Sequence, residues 1–338
     1  MAMVQFVSVK NIVRLIEQDG IETVITAIAS QIEADFKRWD EFEKMPRVPI
    51  HSDKGVIELM PTADSETYGF KYVNGHPLNE DIGMQTVTGF GVLADVETGY
   101  PQFLSEMTIL TALRTAAMSA LAAKYLAPEN AQTMAMIGTG CQAEFQAYAF
   151  KALLGITDLR VFDIDDGAMD KFEDNLKDTN FTIKRCKNAS EAVIGSHVIT
   201  TCTADKKRAK ILTDNMVGRG IHINAIGGDC PGKTELEKAI LMKADIFVEY
   251  PEQTWIEGEI QQLDKTHPIT ELWQVFTGEK TGRTSSNQIT IFDSVGFAIE
   301  DFSALVYLQN RVMDSDYVED IDLLALPENT KNLFGLLR

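Results

Sequence analysis

Residues 133–143 place the tightest constraint on the fold. The apolar run Thr133-Met134-Ala135-Met136-Ile137 leads straight into Gly138-Thr139-Gly140-Cys141-Gln142-Ala143, which opens a helical stretch. A strand, a glycine turn and a helix N-terminus in that order are what a dinucleotide pyrophosphate requires. Gly138 permits the tight turn, Gly140 lets the backbone approach the phosphates, and Ala143 is small enough for close helix–strand packing. The helix N-terminus adds free N–H groups and a partial positive charge. About 20 residues on, Asp163 follows the run Arg160-Val161-Phe162, where a carboxylate accepts ribose hydroxyls; Asp165 is the competing candidate. No arginine follows in Ile164-Asp165-Asp166, so NAD is expected rather than its phosphorylated form.

From residue 132 onward, apolar runs alternate with helical patterns: 133–137 then 142–154, and 159–164 then 167–176. Further candidate strands lie at 198–203, 222–226 and 246–250. This is the βαβ signature of a parallel sheet with helical crossovers. The first third reads differently. Two helices at 9–18 and 21–39 precede short runs at 55–60, 68–73, 85–95 and 101–104, the spacing of an antiparallel meander or open barrel. An alanine-rich helix at 108–125 follows, and a last helix is expected at 294–309, returning toward the first domain. The expected fold is therefore α/β: a Rossmann-type doubly wound parallel sheet at 129–313, plus an α+β substrate domain at 1–128 closed by the tail 314–338.

Lys and Arg total 31 against 50 Asp and Glu, a formal charge of -19, which disfavours nucleic acid and anionic lipid as partners. No apolar stretch approaches the roughly 20 residues of a membrane span, and the first residues lack a signal pattern, so a cytoplasmic protein is expected. Cys141, Cys186, Cys202 and Cys230 have no metal-ligand spacing, and no metal is expected.

Against that acidic background, four charges interrupt apolar segments. Glu58 stands in Val56-Ile57-Glu58-Leu59-Met60, Lys71 in Gly69-Phe70-Lys71-Tyr72-Val73, and Arg47 between Pro46 and Val48. Strand alternation could put Glu58 and Lys71 on a solvent face. Arg114 is harder to dismiss, because Leu110, Thr111, Ala117 and Met118 surround it at helical spacing. A guanidinium there holds a carboxylate. Three bases and one acid suit an amino acid: bases for its carboxylate, the acid for its ammonium.

Asp229 lies in the turn Gly227-Gly228-Asp229-Cys230-Pro231-Gly232-Lys233, directly after His222-Ile223-Asn224-Ala225-Ile226. An acid at the carboxyl end of a strand in the wound sheet faces the cofactor crevice. Thr234-Glu235-Leu236-Glu237 reads as a capping box for the next helix, with Thr234 at the cap. That leaves Asp229 for proton transfer or amine binding.

These residues carry a resemblance to the ornithine cyclodeaminase/mu-crystallin family over nearly the whole chain. The matching stretches are 56–61, 70–77, 110–116, 227–236, 256–263 and 292–297. The resemblance implies a homodimer whose substrate domains share a β-barrel, with tightly held NAD and redox-neutral conversion of L-ornithine to L-proline and ammonia. It implies that Arg47, Lys71 and Arg114 hold the substrate carboxylate. It places Glu58 and Asp229 near the amino groups, with Asp229 as catalytic acid/base. On the cofactor side it implies Thr86, Gly138, Thr139, Gly140, Cys141, Gln142, Asp163, Thr201, Thr203, Lys233, Ser294 and Val295. L-Lysine remains an alternative substrate, since one methylene discriminates by only about 1–3 kcal/mol.

Overall fold

The structure, a computed structural model, describes residues 3–204 and 208–338. Both ends of the chain build its first sheet. β1 (Val4–Val7) precedes α1 (Val9–Asp19) and α2 (Ile21–Lys37). A meander follows: β2 (Val48–Ser52), β3 (Gly55–Ala63), β4 (Thr67–Gly75), β5 (Val87–Asp95) and β6 (Pro101–Glu106), then α3 (Thr108–Leu126). The chain continues through β7 (Thr133–Ile137), α4 (Ala143–Leu154), β8 (Asp158–Phe162), α5 (Asp166–Leu176), β9 (Thr182–Arg185), α6 (Ala189–Val193) and β10 (Val198–Thr201). β11 (Arg208–Leu212), β12 (His222–Ala225), β13 (Thr234–Leu236), α7 (Lys238–Leu241) and β14 (Asp245–Val248) come next. The last elements are α8 (Pro251–Glu257), β15 (Thr270–Glu271), α9 (Leu272–Phe276), β16 (Thr290–Asp293), α10 (Ala298–Val312) and β17 (Glu319–Ile321).

The second sheet has eight parallel strands in the order β15-β14-β16-β12-β10-β7-β8-β9. β7, β10, β12 and β16 are buried along their whole length. Strands covered on both faces by crossover helices read as continuous apolar runs, which is why their sequence signal is strong. The strand order reverses at β7 and β10, and ligands of such sheets bind at that switch point.

The first sheet runs β17-β1-β6-β5-β4-β3-β2, antiparallel except where β1 pairs with β6. It is open among the described residues, with β2 and β17 as its edges, so the barrel expected from the resemblance is not closed within one chain. β17 pairs with β1 and brings the tail back to this sheet. α10 packs on β3, β4, β5, α2 and α3, so it serves the first sheet although the expected boundary at 313 lies beyond it. It begins at Ala298 rather than 294, because Ser294, Val295 and Gly296 are tied to the Glu249 carboxylate instead of helical partners.

The meander alternates in an inverted sense. Glu58 and Lys71 point to the covered face with Met60, Val73 and Leu93, and are 7 % and 1 % exposed. Ile57, Leu59, Tyr68 and Phe90 are on the open face. The solvent-face alternative for the two charges is thus excluded.

Candidate active site

The cofactor edge forms where β7 and β10 diverge. Gly138 has φ 98, and a Cβ there would lie 2.7 Å from the Cys202 carbonyl oxygen, so only glycine fits. Gly140 has nothing within 4 Å of its Cβ position, which leaves room for phosphate over the α4 N-terminus. The backbone N–H of Thr139 donates to Asp163 Oδ2 at 2.6 Å, holding that carboxylate against the glycine loop. Asp165 instead caps α5 by accepting from the Gly167 N–H. Gln142 donates to the Ala112 carbonyl and ties the loop to α3 of the first layer. Thr203 flanks Gly138 across the crevice, Thr201 ends β10, and Ser294 and Val295 follow β16. Thr86 is apart from these: it sits in the β4–β5 connection, with its hydroxyl on Glu80 and its carbonyl on His76. Cys141 is exposed within the loop.

A second group of residues forms a charged layer between the first sheet and α10. Lys71 Nζ lies 2.8 and 2.7 Å from the two oxygens of Asp301. Arg114 reaches the same Asp301 through Nε at 2.8 Å and Glu300 through Nη1 at 2.6 Å. Arg47 Nη1 donates to Glu58 at 3.0 Å, its Nε lies 3.0 Å from Glu257 Oε2, and its Nη2 donates to the carbonyls of Val295 and Gly296. Gly296 joins the two arginines. It has φ 75, and a Cβ there would stand 2.7 Å from Arg114 Nη1. The sequence-expected residues Arg47, Glu58, Lys71 and Arg114 therefore converge.

Burying these ions costs several kcal/mol each unless partners offset it. Burial opposes the charge on Arg47, but Glu257, Glu58 and Asp229 outweigh it and raise its pKa. Lys71 is pushed down to about 8, first by burial and then by Arg114. Burial lifts Glu257 to about 7 and Glu300 to about 8.

Asp229 faces the same group from the turn after β12. Its Oδ1 accepts from Lys233 Nζ at 3.2 Å, its side chain is 52 % exposed, and its charge acts on Arg47 and Glu257. The capping box expected at Thr234–Glu237 does not form. Thr234–Leu236 is β13, paired with β11, and Glu237 precedes α7 without a side-chain cap. Strand pairing prevails because Glu259 accepts the backbone N–H of Glu235 at 2.6 Å and of Leu236 at 3.1 Å. Asp293 in turn accepts from the N–H of Glu259 and Ile260. This carboxylate relay fixes the Asp229 turn to β16.

Sequence reasoning missed Glu257, Glu300 and Asp301, the acids that balance the bases. The signal for the last two was present: adjacent charges between Ile299 and Phe302 in an apolar helix. As a whole the layer holds three bases (Arg47, Lys71, Arg114) against Glu58, Glu257, Glu300 and Asp301, with Asp229 at its edge. Such a layer can bind a carboxylate, and its surplus of acids favours a ligand bearing more than one ammonium.

Residues 9–316 match the model of a family described as the ornithine cyclodeaminase/mu-crystallin family. Over 335 residues the chain is 61% identical to the ornithine cyclodeaminase of Agrobacterium tumefaciens (strain Ach5), covering 99% of this chain and 94% of that protein. A solved lysine cyclodeaminase, described for its recognition of L-lysine, L-ornithine and L-2,4-diaminobutyric acid, superposes with a TM-score of 0.92 at 26% identity, covering 98% of each chain. An archaeal alanine dehydrogenase dimer with bound NAD superposes with a TM-score of 0.85 at 31% identity, over 95% of this chain and 99% of that one.

Proposed function

The chain belongs to the ornithine cyclodeaminase/mu-crystallin family, and from that premise we propose that it is an ornithine cyclodeaminase, converting L-ornithine to L-proline and ammonia with NAD. The observation that carries the reading is the buried charged layer between the first sheet and α10. It joins carboxylate-binding bases to surplus acids, the complement of a diamino acid. Gly138, Thr139, Gly140, Cys141, Gln142 and Asp163 would hold the dinucleotide, with Thr201, Thr203, Ser294 and Val295 at the adjoining strand ends, Lys233 in the turn beside Asp229 and Thr86 the outlying member. When bound, NAD supplies hydride acceptance from the substrate Cα and hydride return to C2, leaving no net redox change.

The protein's own groups do the rest. Lys71 and Arg114 anchor the carboxylate, with Arg47 completing the clamp. Asp229 takes a proton from the α-ammonium and returns it after ring closure. Glu58 helps to place the side-chain ammonium. Enclosure by α10 keeps water from the intermediate imine.

In this reading residues 1–128 and 314–338, with α10 added, form the substrate and dimerisation unit, and the parallel sheet forms the cofactor unit. The open apolar face of the meander supports a homodimer. Tyr72 stacks on Phe90 at 5.1 Å beside Leu59 and Ile57, and a second copy covering this face would complete the shared barrel. No described helix is long and apolar enough to cross a membrane.

The test is direct. Purified protein receives L-ornithine with trace NAD, and proline, ammonia and reduced-nicotinamide absorbance are followed. Proline and ammonia in equal amounts without lasting reduced nicotinamide are expected. Reduced nicotinamide accumulating in step with product would assign a dehydrogenase instead.

A further inference from the structure

Ornithine cyclisation has a proton problem that one acid does not solve. The α-ammonium must lose a proton before hydride can leave Cα, and the side-chain ammonium must lose one before its nitrogen can attack C2. Asp229 stands at the carboxyl end of the cofactor-binding sheet, beside the crevice where Cα reacts, and suits the first task. Three other acids are committed. Glu58 accepts from Arg47 Nη1 at 3.0 Å, Glu300 from Arg114 Nη1 at 2.6 Å and Asp301 from Lys71 Nζ at 2.8 Å.

Glu257 is the exception. It ends α8, is 3 % exposed, and faces Arg47 from the loop before β2, Glu58 from β3 and Asp229 from the turn after β12. Its Oε2 is buried and lies 3.0 Å from Arg47 Nε, yet has no hydrogen-bond partner. Resting on the cyclodeaminase reading, we infer that Glu257 binds the side-chain ammonium of the substrate and is the base that deprotonates it for ring closure. One N–H bond of the ammonium breaks and its proton passes to the Glu257 carboxylate. The freed lone pair forms the N–C2 bond as the C2=N π pair moves onto the α-nitrogen, whose remaining bond to C2 then breaks to release ammonia. The protons held by Glu257 and Asp229 are returned, one to departing ammonia and one to the ring nitrogen. Burial holds the Glu257 carboxyl near neutrality, where it can both take and return a proton.

The experiment compares wild type, Glu257→Gln and Glu257→Asp. L-Ornithine binding is measured in the presence of NADH, where turnover cannot begin, beside L-norvaline, which lacks only the side-chain amine. For Glu257→Gln we expect ornithine affinity to fall at least about tenfold with norvaline affinity unchanged, and kcat to fall about 100-fold with NAD affinity retained. The acidic limb of the kcat–pH profile near 7 disappears, and Glu257→Asp recovers part of kcat. Equal losses for ornithine and norvaline would show that Glu257 only positions Arg47, and would overturn the inference. So would a variant with wild-type kcat. Wild-type protein that binds ornithine but makes no proline would instead contradict the cyclodeaminase reading, with the binding comparison still deciding the ammonium contact.

Discussion

The two sheets of this chain solve opposite problems with the same alternation of side chains. In the parallel sheet the central strands are covered on both faces, and the residues proposed for cofactor binding and proton transfer, Gly138, Asp163 and Asp229, lie beyond strand ends. In the meander the covered face carries Glu58 and Lys71 among Met60, Val73 and Leu93, and the opposite face leaves Ile57, Leu59 and Phe90 exposed. A sheet that buries Lys71 and Glu58 while exposing Leu59 and Phe90 is not built for stability alone. In the proposed reading the first sheet binds the substrate and the second presents the cofactor to it.

The comparison breaks most sharply at Asp301. Asp301→Ala strands Lys71 in the interior and takes one of the two carboxylates from Arg114, and a loss of about 3–5 kcal/mol is expected in denaturant titration. Asp163→Ala, at a strand end, changes stability little and weakens NAD binding. Equal stability losses from both would erase the distinction. The open face gives the next largest effect: Leu59→Glu is expected to produce monomers by sedimentation, with NAD binding kept. At the cofactor edge, Gly138→Ala forces a residue with φ 98 against the Cys202 carbonyl, and NAD affinity is expected to drop about tenfold with folding intact.

The smallest effect is a pH slope. Glu257 and Asp293 are raised to about 7 and Glu300 to about 8, by burial in each case, so the folded chain holds more protons than the unfolded one. That stability is complete below the ordinary carboxyl range and is lost as pH rises through 7 to 8. His222, pushed by burial down to about 3, opposes this only below its ordinary 6.5. Lys71, lowered to about 8, begins to oppose at the top of the window. Thermal midpoints should therefore fall by a few degrees between pH 6.5 and 8. A rising midpoint would mean that these carboxyls are ionised in the folded state.

Legibility in the sequence followed the same division. The parallel sheet was readable because each strand announces itself locally, and the glycine loop has a fixed grammar. β1 and β17 were not, since their pairing joins residues over 300 positions apart. Single charges in apolar segments exposed Glu58, Lys71 and Arg114. Glu300 and Asp301 were harder: neighbours on a helix point about 100° apart, and both are buried only because α10 is packed against the sheet on one side and α2 and α3 on the other. At β13 a genuine Thr-x-x-Glu pattern lost to strand pairing and to Glu259, a long-range partner.

The central claim is that substrate and cofactor are held by separable sheets. Lys71→Met, which preserves bulk and leaves Asp301 paired with Arg114, tests it most directly by calorimetry of L-ornithine and NAD binding on the same preparation. The account predicts that ornithine affinity falls about 100-fold while NAD affinity stays within about twofold of wild type. Unchanged ornithine binding, or loss of NAD binding in its place, would contradict it.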